Sequence, residues 1–313
     1  MTATTTLPEL ERTAPVRHRP ALSYELFPAR SDHSFERLRE TVVQLEATAP
    51  DYVSVTSRAG HGNLGRVLEL TEHVLAETNL RPLVHLTSIG STRDQLATII
   101  HALLDRGVRG ILALRGDQPA GHRLEDDEIP FARPLIELIR ESERERTAGL
   151  AGGRVSIGVA AYPHRHPESP TTSHDTEVLV AKERAGADFA ITQVFFDAAT
   201  YCGLLERSRA AGIRMPLVPG FVPATNPRRL ERLAVLSGVE PPRDLLHQLE
   251  LAASDAERRR IGVRFTVDLA TRVLDAGAPG LHLFTFNQHT DALDVLDHLD
   301  LDRWSAPSLG DTR

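Results

Sequence analysis

Two carboxylates stand where buried strands would deliver them. Glu25 interrupts the apolar run Leu22-Ser23-Tyr24-Glu25-Leu26-Phe27, and Asp117 follows the apolar run 110–114 through Arg115 and Gly116. A carboxyl held among apolar residues loses hydration, so its pKa rises and it becomes a proton donor near neutral pH. A carboxylate beside an arginine at a strand end stays ionised and supplies a fixed negative charge. One donor and one charge suit a reaction that passes through a cation. The plainer alternatives are an outward-facing Glu25 paired with a helix arginine, and a solvated Arg115–Asp117 pair at an ordinary strand end.

Other strand-like runs also end in polar groups: Thr56, His85, Tyr162 with His164 and His166, Gln193, Pro219-Gly220 and Asn287. His164 and His166 have strand-like spacing, but the neighbouring prolines point to a loop, and no ligand set for a metal emerges. Lys182 is the only lysine and falls in a helical pattern rather than at a strand end, which argues against Schiff-base chemistry. The single cysteine, Cys202, excludes an intramolecular disulfide and a thiolate-only metal site.

The elements that must position these residues follow a rhythm. Strand-like runs occupy 21–27, 52–56, 83–87, 110–114, 156–162, 189–196, 217–221 and 281–286. Helical patterns fill 34–48, 92–106 (N-capped at Ser91 or Thr92), 174–185, 198–211, 226–236 and 257–276, with extra turns over 244–251 and a closing helix over 288–299. Alternation of this kind predicts a single α/β domain, a (β/α)8 barrel of the TIM type with extra C-terminal helices. Residues 1–20 read as a mobile arm, 21–300 as the barrel and 301–313 as a polar tail. The alternative is an open doubly wound sheet. Gly60-His61-Gly62-Asn63-Leu64-Gly65 fits a dinucleotide-binding fingerprint, but the next strand ends His85-Leu86-Thr87-Ser88 without the acid that fold requires. A loop over a barrel mouth accounts for the glycines.

The chain has 313 residues, 41% hydrophobic and 25% charged, with a net charge of -7. Its arginines are interleaved with acids, so no nucleic-acid footprint is expected. No apolar stretch approaches a membrane span, and the N-terminus has no secretory h-region, which places the expected location in the cytoplasm.

Taken in order, Tyr24-Glu25-Leu26-Phe27-Pro28-Ala29-Arg30, Val53-Ser54-Val55-Thr56, Val84-His85-Leu86-Thr87, Leu114-Arg115-Gly116-Asp117, Ala160-Ala161-Tyr162-Pro163 with His166-Pro167, Ile191-Thr192-Gln193 with Phe195-Phe196-Asp197, and Phe286-Asn287 resemble the methylenetetrahydrofolate reductase family. The resemblance spans nearly the whole barrel. It implies a bacterial type of member with the catalytic barrel and without the C-terminal regulatory domain of eukaryotic members. The implied activity is reduction of 5,10-methylenetetrahydrofolate to 5-methyltetrahydrofolate, with NADH as hydride donor and FAD as carrier, for methionine synthesis. Residue by residue, Glu25 is similar to the acid that opens the methylene bridge, Asp117 to the carboxylate near flavin and pterin, and Gln193 to the contact of folate and nicotinamide. Thr56, His85, Arg115, Gly116, Asp117, Ala132, Tyr162, His166, Asp175 and Lys182 match flavin contacts. Glu25, Gln193, Asn287 and Gln288 match substrate contacts. The resemblance carries no metal and leaves the oligomeric state open.

The departures fall mostly on cofactor and substrate-tail positions. Thr56-Ser57-Arg58-Ala59 places a cation where the family has Thr-Tyr-Gly-Ala. Val178 and Ala181 replace the usual Asn and Arg, Leu233 stands where a phenylalanine would stack on nicotinamide, and Gln288 replaces an arginine. They imply weakened FAD binding. Alternatives are a flavin-free NADH-dependent enzyme, a folate- or flavin-binding barrel without turnover, and a barrel oxidoreductase acting on another substrate.

Overall fold

The computed structural model describes residues 19–57, 62–118, 121, 123–124, 127–146 and 153–305. The departure at Arg58, most of the N-terminal arm and the end of the tail lie outside these residues.

Parallel strands alternate with helices through the described chain. The strands are β1 (Ala21–Leu26), β2 (Tyr52–Val55), β3 (Pro82–Thr87), β4 (Gly110–Leu114), β5 (Ser156–Ala161), β6 (Phe189–Thr192), β7 (Leu217–Val218), β8 (Gly220–Phe221) and β9 (Gly280–Phe284). The helices are α1 (Asp32–Glu46), α2 (Leu64–Glu77), α3 (Arg93–Asp105), α4 (Ala132–Glu145), α5 (Thr172–Ala185), α6 (Ala198–Ala210), α7 (Pro227–Ser237), α8 (Arg243–Leu251), α9 (Asp255–Asp275) and α10 (His289–Asp297). The sheet order β7-β6-β5-β4-β3-β2-β1-β9-β8 curls the sheet into a barrel. The seventh barrel position is divided. Pro219 interrupts it, so β7 pairs with β6 on one side and β8 with β9 on the other. The expected α/β barrel is therefore the observed architecture.

Alternation along β1 explains how the barrel places polar groups. Leu22, Tyr24 and Leu26 are buried in the cluster between the strands and helices, with Leu38, Val42 and Leu45 of α1. Ser23 and Glu25 point the other way, into the barrel. Ser23 Oγ meets His282 Nδ1 of β9 at 2.9 Å. Helix starts are set by short polar caps. Ser31 and Thr92 build capping boxes on α1 and α3, and Thr171, Asp197, Asn226 and Ser254 each cap with a side-chain oxygen.

The sequence reading differs from the structure in places. It continues β6 to residue 196, whereas the strand ends at Thr192. Val194 and Phe196 leave the barrel and pack with Val222, Leu230, Leu245 and Leu249 beneath α7 and α8. It sets no bounds on α2 or α4. The first residues of the tail, Leu301–Trp304, form a 3-10 turn, and Leu301 and Trp304 rest on the main core. No described helix is long and apolar enough to cross a membrane.

Candidate active site

A cavity of about 950 Å³ opens at the C-terminal ends of the strands. This is the face where barrels of this type carry chemistry. Eleven of the residues singled out from sequence line it: Glu25, Thr56, His85, Arg115, Gly116, Asp117, Ala132, Tyr162, His166, Asp175 and Lys182.

Glu25 occupies its inner wall. The register places it beside Ser54 of β2 and Phe284 of β9, and its side chain is only 13% exposed. Burial without a compensating cation pushes its pKa up to about 7. His85 Nε2 lies 3.8 Å from Glu25 Oε2, too far for a hydrogen bond. Burial pushes His85 down to about 4, so the imidazole is neutral at pH 7 and does not hold Glu25 ionised. Glu25 is thus half protonated near neutrality, the condition in which a carboxyl serves as a general acid. The outward-facing alternative does not hold for this residue.

The backbone around Glu25 is fixed from the last strand. Thr285 Oγ1 donates to Glu25 O at 2.7 Å. Asn287 Oδ1 accepts from Phe27 N at 2.8 Å while Asn287 Nδ2 donates to Phe27 O at 2.7 Å. Phe286 and Asn287 both have left-handed backbones, φ 52° and 58°. Such conformations are costly for side-chain-bearing residues and persist where surrounding contacts impose them. Asn287 therefore holds the end of β1. Both of its amide atoms are engaged by Phe27.

Arg115 and Asp117 follow β4 through Gly116, whose φ of 85° suits glycine and whose added Cβ would lie 3.0 Å from Thr87 and Ile89 side chains. Arg115 does not spend its guanidinium on Asp117. It forks onto Glu168 at 2.6 and 2.7 Å, leaving Asp117 exposed at the rim. Across the cavity, the Tyr162 ring meets His166 edge-on at 4.6 Å, and Asp175 Oδ2 accepts from His166 N at 3.0 Å. Lys182 Nζ reaches in from α5 and donates to Ala160 O at 2.9 Å. Burial lowers its pKa to about 8, with Asp175 opposing the shift, so the ammonium is mostly charged at pH 7.

The cavity wall carries unfilled hydrogen-bonding capacity. Thr56 Oγ1, Thr87 Oγ1 and His85 Nε2 are buried without a hydrogen-bond partner. Buried polar groups normally have partners, so these atoms mark places where a bound polar molecule fits. With the cations Lys182 and Arg207 further along the lining, the donor set suits an elongated, anionic, ring-bearing cofactor such as FAD. Val178 and Ala181 face the same cavity and offer it no polar side-chain atom.

The remaining expected residues lie elsewhere. Gln193 is absent from the cavity lining; its Oε1 turns back to accept from Val194 N at 2.9 Å. Gln288 Oε1 accepts from Arg229 Nη2 at 2.5 Å. Leu233 packs into the apolar cluster under α7. Sequence reasoning missed Thr87, Glu168 and Arg207. Thr87 had a signal, being two residues beyond His85 on the same strand. Arg207 had none, because its link to the site is a tertiary contact in which it donates to Tyr162 O and Pro163 O. Among the described residues, no group of three or more His, Cys, Asp or Glu side chains is arranged to hold a metal.

Comparison with known proteins places this geometry. Among solved structures, the barrel superposes on a Clostridium thermocellum protein described as binding two copies of 5-methyl-5,6,7,8-tetrahydrofolic acid, with TM-score 0.60 and 12% identity over 92% of this chain and 96% of that one. A Coxiella burnetii dihydropteroate synthase matches with TM-score 0.50 and 11% identity over 91% and 93%. At such identities the likeness concerns the fold. In sequence, 5,10-methylenetetrahydrofolate reductase of Salmonella typhimurium is 32% identical over 268 residues, covering 85% of this chain and 86% of the relative. The Escherichia coli K12 enzyme of the same name is 31% identical over the same span. The profile of the methylenetetrahydrofolate reductase family matches residues 10–300. The chain belongs to the methylenetetrahydrofolate reductase family of oxidoreductases.

Proposed function

We propose that this chain reduces 5,10-methylenetetrahydrofolate to 5-methyltetrahydrofolate in the cytoplasm, with NADH as donor and FAD as carrier, and so supplies methyl groups for methionine synthesis. The observation that carries the reading is Glu25, a buried carboxyl with its pKa near 7 on the wall of the large cavity. A protein that only binds folate has no use for a proton donor there.

In this reading Glu25 gives its proton to the bridge nitrogen of the folate, and the ring opens to an iminium cation. Asp117 supplies negative charge at the rim while that cation exists. His85 stays neutral, so it does not compete for the role of acid. Thr56, His85, Arg115, Gly116, Asp117, Ala132, Tyr162, His166, Asp175 and Lys182 would hold FAD, which when bound relays hydride from nicotinamide to folate. Gln193 contacts folate and nicotinamide after a rotation that releases Val194 N–H, and Asn287 and Gln288 contact the substrate as the family's pattern implies, Gln288 being held by Arg229.

The test is product formation. Purified protein incubated with NADH and methylenetetrahydrofolate, with and without FAD, yields methyltetrahydrofolate; no product under either condition overturns the proposal. Because Glu25 must be protonated, the rate of folate reduction should fall about tenfold per pH unit above pH 7. A profile flat to pH 9 excludes Glu25 as the donor.

The apolar Val178 and Ala181 predict weak FAD binding. Restoring polar contacts with the double substitution Val178→Asn, Ala181→Arg should tighten FAD by about ten- to hundredfold, the equivalent of one or two added hydrogen bonds. Flavin fluorescence titration reads this directly, and an unchanged Kd would show that these positions do not face the cofactor. Colourless wild-type protein that is fully active and indifferent to FAD would establish the flavin-free reading instead.

A further inference from the structure

The opposite end of the barrel carries a second cavity, of about 560 Å³. Its walls come from the first residues of successive strands, including Tyr52, Leu83 and Phe189, so it is the N-terminal mouth. Three arginines line it: Arg81, Arg109 and Arg154.

The nearby acids are already committed. Asp51, which itself lines the cavity, pairs with Arg19 at 3.3 Å and accepts from Leu22 N at 2.8 Å. Asp188 pairs with Arg140 at 2.5 Å and with Arg154 at 3.0 Å. Among the described residues, Arg81 and Arg109 make no ion pair. Arg109 spends one terminal nitrogen on Leu104 O and Val108 O, while its Nε is buried with no partner. A buried guanidinium N–H without an acceptor is unfavourable, and a bound oxyanion would remove that cost. The chain as a whole is at -7, so this mouth is a local reversal of sign. Between the arginines, the Tyr52 and Phe189 rings meet at 5.7 Å and give the cavity an aromatic wall.

We propose that the N-terminal mouth is a binding site for a small phosphate monoester carried on a flat ring, with Arg81 and Arg109 taking the phosphate and the Tyr52–Phe189 wall taking the ring. A mononucleotide has this chemistry. The site is separate from the catalytic cavity and does not depend on the redox reading.

Titration calorimetry at low ionic strength with AMP, inorganic phosphate and adenosine tests it. AMP should bind, inorganic phosphate should bind more weakly, and adenosine should not bind. Arg81→Ala should weaken both phosphate ligands about tenfold or more, as loss of a charged contact does. Arg81 is exposed and unpaired, so this variant should fold and keep its folate-reducing rate. Arg207→Ala, in the catalytic cavity, should leave AMP binding intact. Adenosine binding as tightly as AMP, unchanged affinity in Arg81→Ala, loss of AMP binding in Arg207→Ala, or no phosphate binding at millimolar concentration would each overturn the proposal.

Discussion

Glu25→Gln should lower the rate of folate reduction by about 10²- to 10⁴-fold, the usual contribution of a general acid, and at the same time make the protein more stable at pH 8. The two effects share one cause. The carboxyl titrates near 7 when folded, against an ordinary value of 4.5, so the folded state holds its proton more tightly. Its contribution to stability is complete below pH 4.5 and is lost as pH rises through 7. The shift corresponds to about 3 kcal/mol. Glutamine keeps the shape and never ionises, so the variant escapes that loss. Denaturant unfolding at pH 5 and pH 8 should show the variant's advantage growing with pH, while single-turnover assays show the lost rate. A rate change under about threefold, or an advantage that does not depend on pH, would make Glu25 an ordinary buried glutamate. His85 acts with the opposite sign. Its pKa is depressed to about 4, so its neutral burial stabilises above 6.5 and that support is lost as pH falls toward 4.

The second large effect concerns the seam between β1 and β9. Ala21 and Gly280 stand opposite each other in that pairing. A Cβ on Gly280 would lie 2.3 Å from Ala21 O and 2.8 Å from Ala21 N. These are backbone atoms of a paired strand and have no rotamer to escape into. Gly280→Val should therefore cost about 3 kcal/mol and depress activity as well, because Glu25 rides on β1. Gly65→Ala is the matched control. A Cβ there meets nothing within 4 Å, and the site is inside α2, so a neutral or slightly stabilising result is expected. Urea unfolding midpoints compare the two. A Gly280→Val protein with wild-type stability would mean that the seam tolerates separation.

How much of this was legible in the chain depends on whether the information was local. Glu25 was readable as a candidate acid from its apolar neighbours, while the face it takes is open in the sequence and is settled by Leu22, Tyr24 and Leu26 packing toward the helices. The cap of α3 was readable to within Ser91 or Thr92, and Thr92 takes the role with Gln95 three residues on. The end of β6 was not. An apolar run looks the same whether its residues are buried by a sheet or by helices beyond it, and Val194 and Phe196 are of the second kind. The true partner of Arg115 was also hidden. Asp117 is two residues away in sequence, but Glu168, 53 residues on, takes the guanidinium. Asn287 was recognisable as a site residue, yet its work on Phe27 spans 260 residues and could be seen only in three dimensions.

That span has a consequence for how the protein comes into being. The acid on β1 emerges early in synthesis, but the groups that fix its backbone, Thr285 and Asn287, emerge among the last. Contacts of such long sequence separation form late, after loop closure has been overcome. A nascent chain can thus build most of its strands and helices while its proton donor is still unanchored. Ring closure by β9 and the onset of catalytic competence are one event, so recovery of activity during refolding should track the slowest structural phase.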